Sequence, residues 1–226
     1  MIYAYLQGAQ DREAKQALEM PPPARPEDPQ YMSWLYATAL RPRCYAVERH
    51  RWDEAAALQV PPNTFPGGRW AWTEANLHFA RALGASHLGK TAEARKDLRQ
   101  LALLRDTLIK ANNTYWADQL DIQREIVSAW IMLAEGKHEE ALRQMPSAAE
   151  HEDSTDKHNV TPGVIVPARE LLGGMLLELK QPAQAIVEFE ATLRTAPSRF
   201  NALAGAPRAA KLSGTARKRE CTMLSC

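Results

Sequence analysis

Apolar side chains along this chain recur every three or four residues, in stretches separated by short polar breaks. The clearest stretch is 168–197, whose two apolar stripes comprise Leu171, Leu172, Met175, Leu176 and Leu179, and then Ala185, Ile186, Phe189 and Leu193. Such spacing places apolar side chains on one face of an α-helix. Lys180-Gln181-Pro182 separates the two stripes, and proline suits the first turn of a helix. The pattern predicts two helices joined by a tight turn.

The same succession of helix, polar break and helix recurs along the chain. An alanine follows each break by about one helical turn, at Ala14, Ala55, Ala94, Ala141 and Ala185, with intervals of 39–47 residues. No segment shows the sustained apolar–polar alternation of a β-strand. We therefore predict an all-α protein of about five helical hairpins. The units are 1–20, 30–58, 70–110, 114–150, 167–197 and 200–214, and the last contains a single helix.

The breaks between helices, and the prolines within them, allow further predictions. The proline-rich segment at 21–29 can be neither helix nor central strand; a disordered interdomain linker is one interpretation, and a stiff connector between repeats is the favoured one. The connector at 60–68 has the composition of turns throughout. Asp11 and Thr91 are candidate N-caps, as are the polar residues at 112–114. Residues 151–166 form the longest break in the second half of the chain, and Pro42 and Pro207 should kink or interrupt their helices.

The stretch 168–197 also carries a family resemblance. Signature positions of a known helical repeat are occupied by Leu172-Gly173, Leu176, Ala185, Phe189 and Pro197. The segment thereby resembles the tetratricopeptide repeat, a helix–turn–helix unit of about 34 residues. Lys180 and Thr192 replace the usual turn glycine and small alanine. Segments such as YAYLQ, FARALGASHLGKTAEAR and PARELLGGMLLEL, across about 3–214, resemble the C-terminal half of longer bacterial tetratricopeptide-repeat proteins of unassigned activity.

This resemblance implies a right-handed α-α superhelix, a solenoid with irregular spacing between hairpins. It also implies that the chain is a fragment that lacks upstream repeats, and the tail 215–226 departs from it. Because a solenoid needs a polar cap at each end, we predict that 214–226 frays or docks irregularly and that 1–8 is the other weak point. Because first helices line the concave face in this family, the resemblance implies a non-catalytic scaffold for a protein or peptide partner. The inner-face positions that it assigns are Arg41, Asn76, His87, Gln123, Glu170 and Arg208.

One kind of partner is disfavoured by the same comparison. Some tetratricopeptide domains hold a peptide carboxylate with an asparagine one residue after the signature glycine. The corresponding residues here are Leu83, Trp130 and Gly174, so the carboxylate clamp is absent. Aromatic residues at repeat spacing are expected to serve packing, and His78 and His87 to form hydrogen bonds between helices.

Composition indicates which partners, targeting signals and cysteine sites are not expected. A net charge of +1 gives no reason to expect nucleic acid or an anionic membrane as partner. The N-terminal residues do not form a signal peptide, and the three cysteines suggest neither disulfides nor a metal site, with Cys44 inside a predicted helix. We expect a cytoplasmic monomer without a cofactor.

The alternative is a metal-dependent or other helical enzyme that uses the 151–158 segment. Its candidate ligands are His151, Glu152, Asp153, Asp156 and His158. Two imidazoles and three carboxylates could bind a divalent ion, although the spacing matches no established metal motif. A polar connector whose acidic groups cap helices is the favoured interpretation, and no metal site is predicted. The chain contains no GxxxxGK[ST], GxGxxG or GxSxG motif.

Overall fold

The computed structural model describes residues 2–19, 44–59, 71–156 and 164–214, and every regular element in these ranges is an α-helix. The prediction of an all-α protein is confirmed. The helices are α1 (Ile2–Gln7), α2 (Asp11–Glu19), α3 (described from 44 to 48), α4 (Trp52–Ala56), α5 (Ala71–His87), α6 (Thr91–Lys110), α7 (Thr114–Ala134), α8 (His138–Ser154), α9 (Ala168–Glu178), α10 (Pro182–Thr195) and α11 (Phe200–Ser213).

The chain divides into two compact units. The first unit comprises Met1–Leu6 and Gln10–Ile165, and the second comprises Val166–Cys226 together with Gln7–Ala9. The predicted superhelical stacking of all hairpins stays a prediction. Arg41, Pro42, both proline-rich segments, His158 and the 215–226 tail lie outside the described residues. None of the described helices combines the length and the hydropathy needed to cross a membrane.

One turn conformation recurs at six helix ends. The second turn residue has a positive φ in each case, at Ala9, His50, Gly89, Asn112, Gly136 and Lys180. The N–H of the following residue donates to a carbonyl five residues back, as Lys90 does to Ala85 and Gln181 to Leu176, both at 2.8 Å. This bond satisfies a carbonyl that the helix end leaves open. Lys180 thus adopts the conformation that glycine has at the corresponding positions 89 and 136.

A buried alanine follows each of these turns by five residues. The six alanines are Ala14, Ala55, Ala94, Ala117, Ala141 and Ala185, and none is more than 4% exposed. Each donates its backbone N–H to the carbonyl of the residue just before the new helix, so the turn and the first helical turn form one module. Five of these alanines belong to the predicted register. Ala117 shows that the same module also joins α6 to α7.

Helices of the first unit run alternately up and down. Arg95 near the start of α6 contacts Glu135 just after α7, and Arg105 near the end of α6 contacts Asp121 early in α7. These two helices are therefore antiparallel. Helices α5 and α7 are parallel, because Trp72 and Trp116 stack at their first turns while His87 and Trp130 meet towards their ends.

Helix α5 lies at the centre of the first unit. Thirteen of its 17 residues are buried, so the helix has no continuous solvent face. Gly84 allows α4 to approach closely, because a Cβ there would lie 2.5 Å from the backbone N of Ala56 and 2.6 Å from the carbonyl O of Trp52. A glycine at this point removes the side chain that would separate the two helices.

The core of the second unit centres on one aromatic ring. Phe189 of α10 fills the gap between Gly173 of α9 and Gly205 of α11. A Cβ would lie 2.8 Å from this ring at Gly173 and 2.6 Å at Gly205. The second unit therefore packs an aromatic side chain against two glycines.

Two local predictions are wrong. Residues 151–154 belong to α8 and not to a loop, because His151 is anchored to α7 and Thr155 Oγ1 donates to the carbonyl of His151 at 2.9 Å. Helix α11 runs through Pro207 without interruption; this residue is exposed, so solvent reaches the carbonyl that its missing N–H leaves open.

The predicted N-caps gave mixed results. Asp11 is the first residue of α2 and Thr91 is the first residue of α6, so each lies one residue past the N-cap position. The residue before α6 is Lys90, whose side chain makes no capping hydrogen bond. Asn113, from the predicted 112–114 break, does cap α7: its side chain accepts from the backbone N–H of Trp116 at 3.5 Å.

Candidate functional site

The parallel helices α5 and α7 meet through two aromatic rings. Trp72 and Trp116 stack with centroids 4.3 Å apart and planes 12° from parallel, and both are half-buried. The ring of Tyr115 meets Trp116 edge-on at 5.1 Å. Offset stacking and edge contacts are favourable arrangements of aromatic quadrupoles. The amino ends of two first helices are thereby held together.

Two predicted site residues meet at the same seam. Gln123 Nε2 donates to Asn76 Oδ1 at 2.8 Å, and Asn76 Nδ2 donates to the carbonyl of Trp72 at 3.1 Å. Asn76 is only 9% exposed, so its amide joins α5 to α7. Gln123 is half-buried, and its Oε1 has no hydrogen-bond partner among the described residues. That unpartnered oxygen of Gln123 is itself buried, so this amide serves the contact between α5 and α7.

His87 lies in a ladder of stacked rings. Successive centroid distances are 5.0 Å from His50 to Trp52, 3.8 Å from Trp52 to His87 and 4.1 Å from His87 to Trp130. Burial, with a smaller effect from the charge of His50, lowers the pKa of His87 to about 3. His87 is therefore a neutral packing element with both ring faces covered, which leaves little of it for a partner.

The side chain of Glu170 is also buried, in an ion pair of the second unit. It is 4% exposed, and Arg199, just before α11, is 2% exposed. Arg199 donates through Nε to Oε2 at 2.9 Å and through Nη2 to Oε1 at 2.6 Å, and Asn201 Nδ2 lies 3.3 Å from Oε1. This fork geometry suits a structural carboxylate–guanidinium pair. The sequence pattern did not single out Arg199, because a charged residue after a helix-ending proline looks like part of an exposed turn.

The remaining predicted positions are less informative. Arg208 is exposed on α11 of the second unit, and Arg41 lies outside the described residues. The residues at the asparagine place of a carboxylate clamp are unsuited to that role, because Leu83 is fully buried and Trp130 is 3% exposed. Contact between the six predicted residues and a partner stays a prediction, and only Asn76 and Gln123 are shown to touch each other.

The candidate metal ligands do not converge. His151 lies between two carboxylates of α7, with Nε2 3.0 Å from Asp118 Oδ1 and Nδ1 3.3 Å from Glu125 Oε2. Because the carboxylates approach different ring nitrogens, a single ion could not replace both contacts. Asp153 and Asp156 are exposed. Within the described residues, no group of three His, Cys, Asp or Glu side chains is arranged to hold a metal ion.

A second buried histidine joins α5 to α6. His78 Nδ1 lies 2.7 Å from Asp97 Oδ1 and Nε2 lies 3.7 Å from Glu74 Oε1, while Arg81 Nε lies 3.3 Å from Asp97 Oδ2. His78 is 7% exposed and Asp97 4%. The prediction that His78 forms a hydrogen bond between helices is confirmed.

Helices α7 and α8 border an open groove of about 450 Å³. Its walls are formed by Glu125, Met132, Glu140, Arg143, Gln144 and Ser147. Glu125 and Met132 are two helical turns apart on α7, and Glu140, Gln144 and Ser147 follow one face of α8. Sequence reasoning missed this groove, although that spacing was visible, because nothing in the pattern shows which exposed faces lie side by side.

The groove has the chemistry of a surface for polar chains rather than for an apolar ligand. It offers carboxylates, a guanidinium, an amide and a hydroxyl, with Met132 as its apolar residue.

Comparison of the chain with protein-family models, curated proteins and solved structures finds no match.

Proposed function

We propose that this chain is a non-catalytic helical-repeat scaffold that binds a protein or peptide partner. The observation that carries the proposal is the turn module, which recurs six times with the same positive φ, the same backbone hydrogen bond and the same buried alanine. A module repeated in this way is typical of arrays that build extended surfaces. The proposal includes a tetratricopeptide-like superhelix, a monomeric chain and a cytoplasmic location.

The histidines support a binding role over catalysis. His87 is stacked between two indoles, and His78 and His151 bridge helices through carboxylates. A catalytic imidazole must reach the proton that it transfers. These three rings serve helix packing.

The exposed side of α7 is the best place for a partner within the first unit. Helix α5 is mostly buried and has no fully exposed residue; the half-buried Trp72, Glu74 and Arg81 are its main contributions to the surface. Helix α7 carries the half-buried Gln123 and one wall of the α7–α8 groove. Both charges and amides are present, which favours an extended peptide held by hydrogen bonds. Each such contact contributes roughly 0.5–1.5 kcal/mol.

A displayed peptide library tests the proposal. Peptides selected on the purified chain should lose affinity when Gln123 or Gln144 is changed to alanine. The matched controls are Glu139→Ala on α8 and Gln184→Ala on α10, because both side chains are exposed and lie outside the groove. Asn76 and Glu170 are unsuitable probes, since both are buried and their loss would affect folding. Failure to select any peptide, or an equal loss in the controls, would contradict the proposed site.

A further inference from the structure

The α5–α6 seam is bridged by a histidine with a carboxylate at each ring nitrogen. Asp97 of α6 faces Nδ1 of His78 and Glu74 of α5 faces Nε2, at 2.7 and 3.7 Å. Arg81 of α5 is the cation on the far side of Asp97, 3.3 Å from Oδ2. The side chains of His78 and Asp97 are 9% and 6% exposed, so water screens this contact weakly.

The α7–α8 seam repeats the arrangement with other residues. Both carboxylates that face His151 come from α7: Asp118 at Nε2 and Glu125 at Nδ1. Thr155, just after α8, reaches the second oxygen of Asp118 at 3.3 Å through its hydroxyl. The three charged side chains are 29–43% exposed, so this contact is better hydrated than the one at His78.

A carboxylate at both ring nitrogens determines which form of imidazole fits. The neutral ring has one N–H donor and one lone pair, whereas the imidazolium has two donors. An ionised carboxylate only accepts hydrogen bonds, so a neutral ring would direct its lone pair at one of the two carboxylates. The charged ring can donate to both carboxylates at His151, and at His78 it donates to Asp97 while its charge attracts Glu74 across 3.7 Å.

We propose that His78 and His151 form a pair of acid-favoured braces, which lock α5 to α6 and α7 to α8 when protonated and loosen both contacts when they lose their protons. The two braces occupy consecutive helical hairpins of the first unit. A rise in pH should therefore weaken the helix–helix contacts of both of these adjacent hairpins. The inference does not depend on the proposed binding function.

The titration of the two rings agrees with this geometry. Burial alone would lower the pKa of His78, but the hydrogen bonds and charges of Asp97 and Glu74 outweigh it and raise the pKa above 6.5. Burial likewise opposes the effect of Asp118 and Glu125 on His151, and the resulting pKa is also raised. Since the folded pKa exceeds the unfolded one, the stabilisation is complete below pH 6.5 and is lost as pH rises through the folded value.

Thermal unfolding from pH 6.5 into the alkaline range tests the braces. His87 does not interfere there, because its depressed pKa affects stability below 6.5. The wild-type melting temperature should fall as pH rises, and the fall should shrink in His78→Gln and in His151→Gln and be smallest in the double variant. His138→Gln changes an exposed histidine at the start of α8 and should behave as wild type. Equal slopes in all variants would overturn the proposal.

A direct titration remains decisive if His78→Gln does not fold. The ring protons of His78 and His151 should titrate in the folded protein, by NMR, with midpoints above 6.5. Glu74→Gln should lower the midpoint of His78 alone, and Glu125→Gln that of His151 alone, since each removes one of the two carboxylates. Midpoints at or below 6.5, or midpoints that these substitutions leave unchanged, would refute the braces.

Discussion

Removing the carboxylate of Glu170 should destabilise the second unit strongly. In Glu170→Ala, the guanidinium of Arg199 would remain 2% exposed without the two oxygens to which it donates. Loss of one partner from a buried ion pair costs about 3–5 kcal/mol, because the other charge stays desolvated. Whole domains are stabilised by only about 5–15 kcal/mol. The substitution should therefore remove a large share of the stability of the unit that contains α9, α10 and α11.

The measurement is urea denaturation followed by circular dichroism, with hydrogen exchange to assign the loss to α9–α11. Glu188→Ala is the matched control, because it breaks the pair with Arg169, whose side chains are 26% and 17% exposed. Partly hydrated pairs contribute at most about 1 kcal/mol. The variant Glu170→Leu with Arg199→Met removes both charges and should recover most of the loss. A cost for Glu170→Ala no larger than that for Glu188→Ala would refute a structural role for the buried pair.

Two further substitutions test the packing of the helices. Gly84→Ala should destabilise the first unit by about 1–3 kcal/mol in the same denaturation assay, because its Cβ would collide with the backbone of α4. Gly174→Ala is the control, since its Cβ would meet nothing within 4 Å, and it should be neutral or stabilising. His87→Phe should flatten the loss of stability as pH falls from 6.5 towards 3, a loss that arises because only the unfolded His87 takes up a proton in that range. An unchanged acid slope in His87→Phe would show that other groups cause it.

The helices and their turns follow from local pattern. Periodic apolar residues give the helix positions, and an alanine one turn into each new helix marks the register, since these features depend on residues within a few positions of each other. Lys180 shows the limit of residue preferences: the turn keeps its positive φ where glycine is absent. The predicted loop at 151–154 is wrong because contacts with Asp118 and Glu125, far away in the chain, extend α8.

The sequence by itself determined that the chain is helical and where its hairpins turn. Only the tertiary structure decided which polar side chains of the first helices are exposed. Asn76, His87 and Glu170 were assigned to the same inner face as Gln123. The structure instead encloses Asn76 against Gln123, His87 between Trp52 and Trp130, and Glu170 against Arg199. Periodicity shows which face of a helix is apolar, but the number of neighbours that cover the opposite face depends on how distant segments pack.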